Sequence, residues 1–251
     1  MPVRLTVIGC SGSFPGPDSP ASSYLVEHEG FRLLLDLGSG ALGALQRHAS
    51  LYEIDAVCLS HLHPDHCLDM TGYWVARTYA PDAPHPRIPV YGPPGTARRL
   101  ARAQGVAGEE EMTGAFDFRD LQPGPLEIGP LRLTLAHMNH PVETFGFRFE
   151  AGGAVLAYSA DTGESADLVT LARDADVLLS EASFLDAPDL PEGLHLTARQ
   201  AAEHATRAGA RRLLLTHLVP WNDRDRSREE AAAAFDGPLT LATSGLVVDL
   251  S

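Results

Sequence analysis

The chain has 251 residues, of which 44% are apolar and 21% charged, an ordinary balance for a globular protein with a full core. Its net charge of −14 excludes a broad nucleic-acid footprint, which needs clustered Lys and Arg, though not a local basic patch. No apolar run approaches the roughly 20 residues that span a bilayer, and Cys10, Cys58 and Cys67, scattered and in no CxxC pair, exclude a disulfide framework.

The opening MPVRLTVIGC alternates like a strand and has no signal-peptide core, so a cytoplasmic location is expected. Residues 3–8, 22–27 and 31–36 read as strands, the last two joined at Glu29-Gly30. A helix is expected at 39–46, then a buried strand at 56–59 that runs directly into a histidine cluster. Residues 68–79 read as a helix with Trp74 in the core, and 81–94 as irregular apart from a strand near 88–91. Arg98, Arg99 and Arg102 share one predicted helix. Residues 126–128, 131–136, 145–149 and 155–159 form a second set of strands. The apolar runs 177–180 and 212–216 follow, with an Ala-rich helix over 197–208 between them. Arg224, Arg226 and Arg228 alternate with acids and read as a solvated face, and strands at 239–242 and 246–250 close the chain. Runs of strands that later alternate with helices, in both halves, predict one domain over 1–251: an α/β sandwich with sheet on sheet and helices outside.

The stretch SHLHPDHCLD packs three histidines and two aspartates into ten residues. Imidazole nitrogen and carboxylate oxygen suit Zn²⁺, and acceptably Mn²⁺ or Fe²⁺. Alternating positions leaving the strand would let His61, His63, Asp65 and His66 converge on one ion or on two. His140, Asp161 and His217 each stand just past another predicted strand. By contrast His28, His48, His85, His137 and His204 fit no such pattern and read as surface or hydrogen-bonded histidines.

The set HxHxDH, a later His, an Asp in SADTG and a terminal LTH resembles the metallo-β-lactamase superfamily over essentially the whole chain. The resemblance implies the four-layer αββα fold and two divalent metal ions, zinc or manganese. It puts His61, His63 and His140 on one metal, Asp65, His66 and His217 on the other, and Asp161 between them. His63 stands where flavodiiron proteins have Glu, and Asn139-His140-Pro141 replaces the Gly-His-Thr-Pro-Gly turn usual in glyoxalase-type thioesterases. HPVETFGFRF, the loop in GCSGSFPGPDSPASSYLV, Glu181 in SEASF and His195 in HLTARQAA are instead similar to the tRNase Z branch. There the Glu orients the His, which assists departure of the leaving oxygen.

The branch implies a phosphodiesterase, but only 21 positions separate His140 from Asp161, too few for the arm with which a tRNase Z grips tRNA. GPDSPAS, GALQRHA, LSHLHPDHCLD, AYSADTG and LLLTHLVPW resemble actinobacterial proteins described as atypical class II cyclic-nucleotide phosphodiesterases. The expected substrate is a small phosphodiester, chiefly 3′,5′-cAMP, with tRNA disfavoured, and the branch implies a homodimer. Asp65 would hold the nucleophile's proton as well as a metal, and His195, oriented by Glu181, would protonate the leaving 3′-oxygen. Candidate substrate contacts are Ser11, Ser13 and Thr162 for phosphate and Trp221 for a purine base, a core plug being the other reading of Trp221.

Overall fold

The computed structural model describes residues 2–250. In chain order the strands are β1 (Val3–Gly9), β2 (Ser23–His28), β3 (Phe31–Leu35), β4 (Ala56–Cys58), β5 (Ile88–Gly92), β6 (Phe116–Asp120) and β7 (Gly124–Ile128). There follow β8 (Leu131–His137), β9 (Phe145–Ala151), β10 (Ala154–Tyr158), β11 (Val177–Glu181), β12 (Leu213–Thr216), β13 (Leu239–Leu241) and β14 (Val247–Leu250). The helices are α1 (Ala41–Leu45), α2 (Pro64–Cys67), α3 (Met70–Tyr79), α4 (Thr96–Gln104), α5 (Ala166–Leu171), α6 (Ala198–Ala208) and α7 (Arg224–Ala232).

Alternation along each strand divides its side chains between two cores. In β3, Leu33 and Leu35 enter the core between the sheets while Leu34 packs outward on the helices. In β12, Leu214 points inward and Leu213 and Leu215 outward. One sheet runs β14-β1-β2-β3-β4-β5-β6, the other β13-β12-β11-β10-β9-β8-β7. Helices α1, α3 and α4 contribute to the outer core of the first sheet, and α5, α6 and α7 to that of the second, completing the expected αββα layering.

Strand direction positions the site. β3, β4, β5 and β6 are mutually parallel, as are β10, β11, β12 and β13. Two antiparallel steps set β1 parallel to β3, and two more set β8 parallel to β10. The chain segments following β1, β3, β4, β8, β10, β11 and β12 therefore leave by one edge of each sheet, the place where open α/β sheets gather ligand groups.

Most expected elements stand within a residue or two of their predicted bounds. Strand β6 and helices α2, α5 and α7 were not anticipated. The arginine-rich stretch read as a solvated face is α7, which buries Ser227, Glu230 and Ala231 and pairs Arg226 with Glu230 at 2.8 Å. Cys10, Cys58, Cys67 and Trp74 are buried as expected. His204 is buried rather than superficial, its Nε2 accepting from Ser165 N and its Nδ1 donating to the Gln200 carbonyl. His28 is also buried, and its Nδ1 has no partner, so neither expected description fits it.

Candidate metal centre

Pro64 starts α2 directly after His63, its fixed φ suiting the first helical position. This corrects the expectation of convergence by strand alternation. β4 ends at Cys58, His61 and His63 lie on the following loop, and Asp65 and His66 lie on the helical turn. The turn is held from behind: Leu37 N donates to the His66 carbonyl at 2.7 Å, and Asp69 N to the Leu37 carbonyl at 3.1 Å. Across the interface, Phe145 N donates to the Ser60 carbonyl at 3.0 Å, tying the two sheets together beside the cluster.

Two groups result. His61, His63, His140 and Asp161 each present a ligand-type atom within 4.8 Å of the others, and so do Asp65, His66, Asp161 and His217. Asp161 belongs to both. Its Oδ2 lies 3.6 Å from His61 Nε2, whereas Oδ1 lies 3.2 Å from His66 Nε2 and 3.5 Å from His217 Nε2. Asp161 is 2% exposed and its Oδ1 is a buried oxygen without a hydrogen-bond partner. An orphaned buried carboxylate oxygen is costly unless a cation satisfies it. The donor set is imidazole and carboxylate, so the residues fit two divalent ions.

The far nitrogens of four of the five rings, all but His63, are also occupied, as is usual for metal-ligating histidines. His61 Nδ1 meets Ser60 Oγ at 3.0 Å, His66 Nδ1 meets Asp36 Oδ2 at 2.8 Å, and His140 Nδ1 donates to the Leu194 carbonyl at 2.8 Å. His217 Nδ1 meets Ser183 Oγ at 2.6 Å. Asp36 is the chief residue that motif reading missed. Fully buried at the end of β3, it accepts from Ser60 N, Ser60 Oγ and Tyr158 OH as well as meeting His66. Its one sequence signal was an acid closing the apolar run LLLD. Asp36, Ala160 and His217 all have positive φ (55°, 50° and 53°), a conformation rare for non-glycine residues that turns the chain sharply at three strand ends.

Charge follows from this packing. Burial disfavours charge on His61, His63 and His140, and their histidine neighbours add to it, so all three are depressed and present neutral ligand nitrogens. Burial pushes Asp65 and Asp161 upward, but the surrounding imidazoles outweigh it and hold both below the usual carboxylate range. His66 is buried too, yet Asp161, Asp36 and Asp65 raise it well above normal, so without metal it is the cation the three acids share.

Beside the cluster, His195 Nδ1 lies 2.8 Å from Glu181 Oε1. Glu181 is fully buried and held by Thr162 N at 2.8 Å, Ser183 N at 3.1 Å and Ser183 Oγ at 3.0 Å. His195 stands two residues before Thr197, whose capping box with Gln200 starts α6. Burial opposes its charge, but Glu181 raises the imidazole to about 9.

The candidate substrate contacts fare differently. Ser11 Oγ donates to the Phe14 carbonyl and Thr162 Oγ to the Gly163 carbonyl, so neither hydroxyl has a proton free for a phosphate. Ser13 N lies 3.4 Å from His217 Nε2, at the cluster. Trp221 is 74% exposed and packs on Phe14 with ring centroids 4.9 Å apart, so it plugs no core.

Fold and site together define a metallo-hydrolase. A model of the beta-lactamase superfamily domain matches residues 32–218, and the chain belongs to that superfamily. The uncharacterized protein ML1173 of Mycobacterium leprae is 47% identical over 99% of this chain and 89% of its own length. The probable metallo-hydrolase YhfI of Bacillus subtilis is 31% identical over 98% of this chain and 99% of its own. Its crystal structure superposes with a TM-score of 0.88, covering 99% of this chain and 100% of that one. A ribonuclease Z of Myxococcus xanthus is 29% identical over 99% of this chain and 98% of its own length, in agreement with the tRNase Z-like branch. No helix among the described residues is long and apolar enough to cross a membrane.

Proposed function

We propose that His61, His63 and His140 hold one divalent cation and Asp65, His66 and His217 a second, zinc or manganese, with Asp161 shared, and that the protein is a phosphodiesterase acting on cyclic nucleotides, chiefly 3′,5′-cAMP. The observation that carries the reading is the Asp161 carboxylate, whose two oxygens face two different histidine groups. Two such cations supply a water-derived nucleophile at neutral pH and neutralise phosphoryl oxygens. Asp65, kept ionised beside His217, accepts the nucleophile's proton. His195 is held by Glu181 in the tautomer and orientation that leave Nε2 to protonate the leaving oxygen. Ser13 lies at the cluster, its N–H reaching His217 Nε2, where a metal on that nitrogen would free the N–H for a phosphoryl oxygen, and Trp221 with Phe14 offers an exposed face for a purine.

The span between His140 and Asp161 supports a small substrate. It is filled by β9, β10 and the Gly152-Gly153 turn, a hairpin with no protruding segment. The alignment with ribonuclease Z runs over 305 positions against 251 residues here, so that relative carries segments this chain lacks. A homodimer is the expected assembly. The competing reading, an RNA 3′-processing nuclease, rests on the same relative. Incubating zinc- and manganese-loaded protein with 3′,5′-cAMP and with a 3′-extended tRNA separates them. The expected outcome is 5′-AMP from the first and an intact second; site-specific tRNA trimming without cAMP turnover reverses the assignment.

A further inference from the structure

Two recesses open beside the cluster, and their linings differ. One, of about 360 Å³, lies at His63 and is walled by Leu62, Pro93, Pro94 and Val142, with Arg99 and Glu143. The other, of about 380 Å³, lies at His195 and includes Asn139, Glu164, Glu192 and Gln200, with no Lys or Arg in its lining.

The second recess is built rather than incidental. Asn139 N donates to Thr162 Oγ and Asn139 Nδ2 to the Glu164 carbonyl, both at 3.1 Å. Gly163 and Gly193 approach so closely that a Cβ on Gly163 would lie 2.8 Å from Gly193 Cα, so the two loops meet backbone to backbone. Glutamates 164 and 192 stand exposed on those loops.

His195 gives the site a direction. An acid protonates the leaving oxygen, so the leaving group must lie on its side of the phosphorus. Because Nδ1 is committed to Glu181, the proton is delivered from Nε2, which makes no hydrogen bond among the described residues. An ionised carboxylate only accepts hydrogen bonds, so it welcomes hydroxyls and amines and repels a phosphate.

We propose that the recess at His195 is the leaving-group subsite, and that Glu164 and Glu192 select a leaving nucleoside bearing free hydroxyls and no phosphate of its own. The proposal rests on the phosphodiesterase reading and narrows it. Esters of a nucleoside 3′-oxygen are substrates when that nucleoside is otherwise unphosphorylated, which describes cyclic mononucleotides and the simplest dinucleotide but not a chain extended on the leaving side.

The dinucleotides ApA and pApA share one scissile linkage and differ by a 5′-phosphate on the leaving adenosine. Wild-type enzyme is expected to cleave ApA faster, by about tenfold at low salt, with the gap closing as salt screens the glutamates. In Glu164→Gln/Glu192→Gln, whose exposed positions tolerate substitution, the pApA to ApA ratio should rise toward one. A wild-type ratio near one, or a ratio unmoved in the double variant, overturns the subsite. Bis(p-nitrophenyl) phosphate, assayed alongside, separates the two levels. Its turnover together with equal cleavage of ApA and pApA, or with neither cleaved, removes the subsite and leaves the phosphodiesterase standing. If no diester is turned over, both fall.

Discussion

At the scale of single residues, His195 and Glu181 separate acid chemistry from metal binding. His195 is absent from both four-residue groups around Asp161; it meets ligand-type atoms only in a third group with Glu181 and His217, where its Nδ1 is committed to Glu181. His195→Ala should therefore retain its metals and lose roughly 10²–10⁴ in turnover of cAMP, the scale of general acid catalysis. The loss should be much smaller for bis(p-nitrophenyl) phosphate, whose leaving group needs little protonation; equal losses on the two substrates would mean that His195 has another task. The same pair predicts a pH effect. Glu181 raises His195, so its acid form persists to higher pH than it would without that carboxylate. Glu181→Gln removes the raising charge, and the basic limb of the kcat/KM profile should move to lower pH, by about 1–3 units as for an opposite charge at contact. Both enzymes carry the same cations, so the difference between their profiles isolates the carboxylate. An unmoved basic limb counts against the assignment.

At the scale of elements, the metal groups depend on how the end of β3 grips α2. Leu37 is bonded to both His66 and Asp69 through the backbone, and Gly38 lies so close that a Cβ would overlap the Asp65 carbonyl oxygen. A methyl at that position has no flexible neighbour to displace, because the obstruction is backbone. Gly38→Ala should push α2 outward, cost about 1–3 kcal/mol as overpacking does, and lower metal content, most strongly at the Asp65–His66–His217 group. Elemental analysis and a melting curve read both effects, and a variant with full metal content and wild-type Tm would show that the contact is slack. The motif HLHPDH was conspicuous in sequence, but its mode of convergence was not. Pro64 is read easily as a turn former, whereas the partner holding the turn lies 30 positions earlier, at Asp36 and Leu37.

At the scale of the whole molecule, metal binding and folding are linked. Without ions, buried Asp36, Asp65 and Asp161 have only the raised His66 imidazole to share among them. Each ion present at a hundred times its dissociation constant adds about 2.7 kcal/mol to stability. At roughly 2–4 °C per kcal/mol for a chain of this size, chelation should lower Tm by about 5–10 °C per ion lost. Zinc or manganese should restore it. A Tm indifferent to chelator and to both metals would contradict a binuclear centre.

What the amino-acid order determined alone is whatever has a local signal. Short apolar runs bounded by turn residues marked most strands, the Ala-rich run marked α6, and ligand-type side chains stood out where apolar runs ended. Those features were enough for the layered fold and for the seven residues the structure gathers. Short or weakly patterned elements escaped: β6 reads FDFRD, and α7 is charged along nearly its whole length, because its place comes from packing on β13 and α6. The outer support of the site escaped as well. Asp36, Ser60, Tyr158 and Ser183 come from four separate parts of the chain, and none is unusual until folding sets it beside a histidine or, for Tyr158, beside the Asp36 that holds one. Likewise Ser11 and Thr162 looked free to meet a phosphate until their loops closed and took up their protons. Identity and spacing are local and can be read along the chain; which hydrogen bonds a side chain has left to give is a property of everything packed around it, and only the tertiary structure decides it.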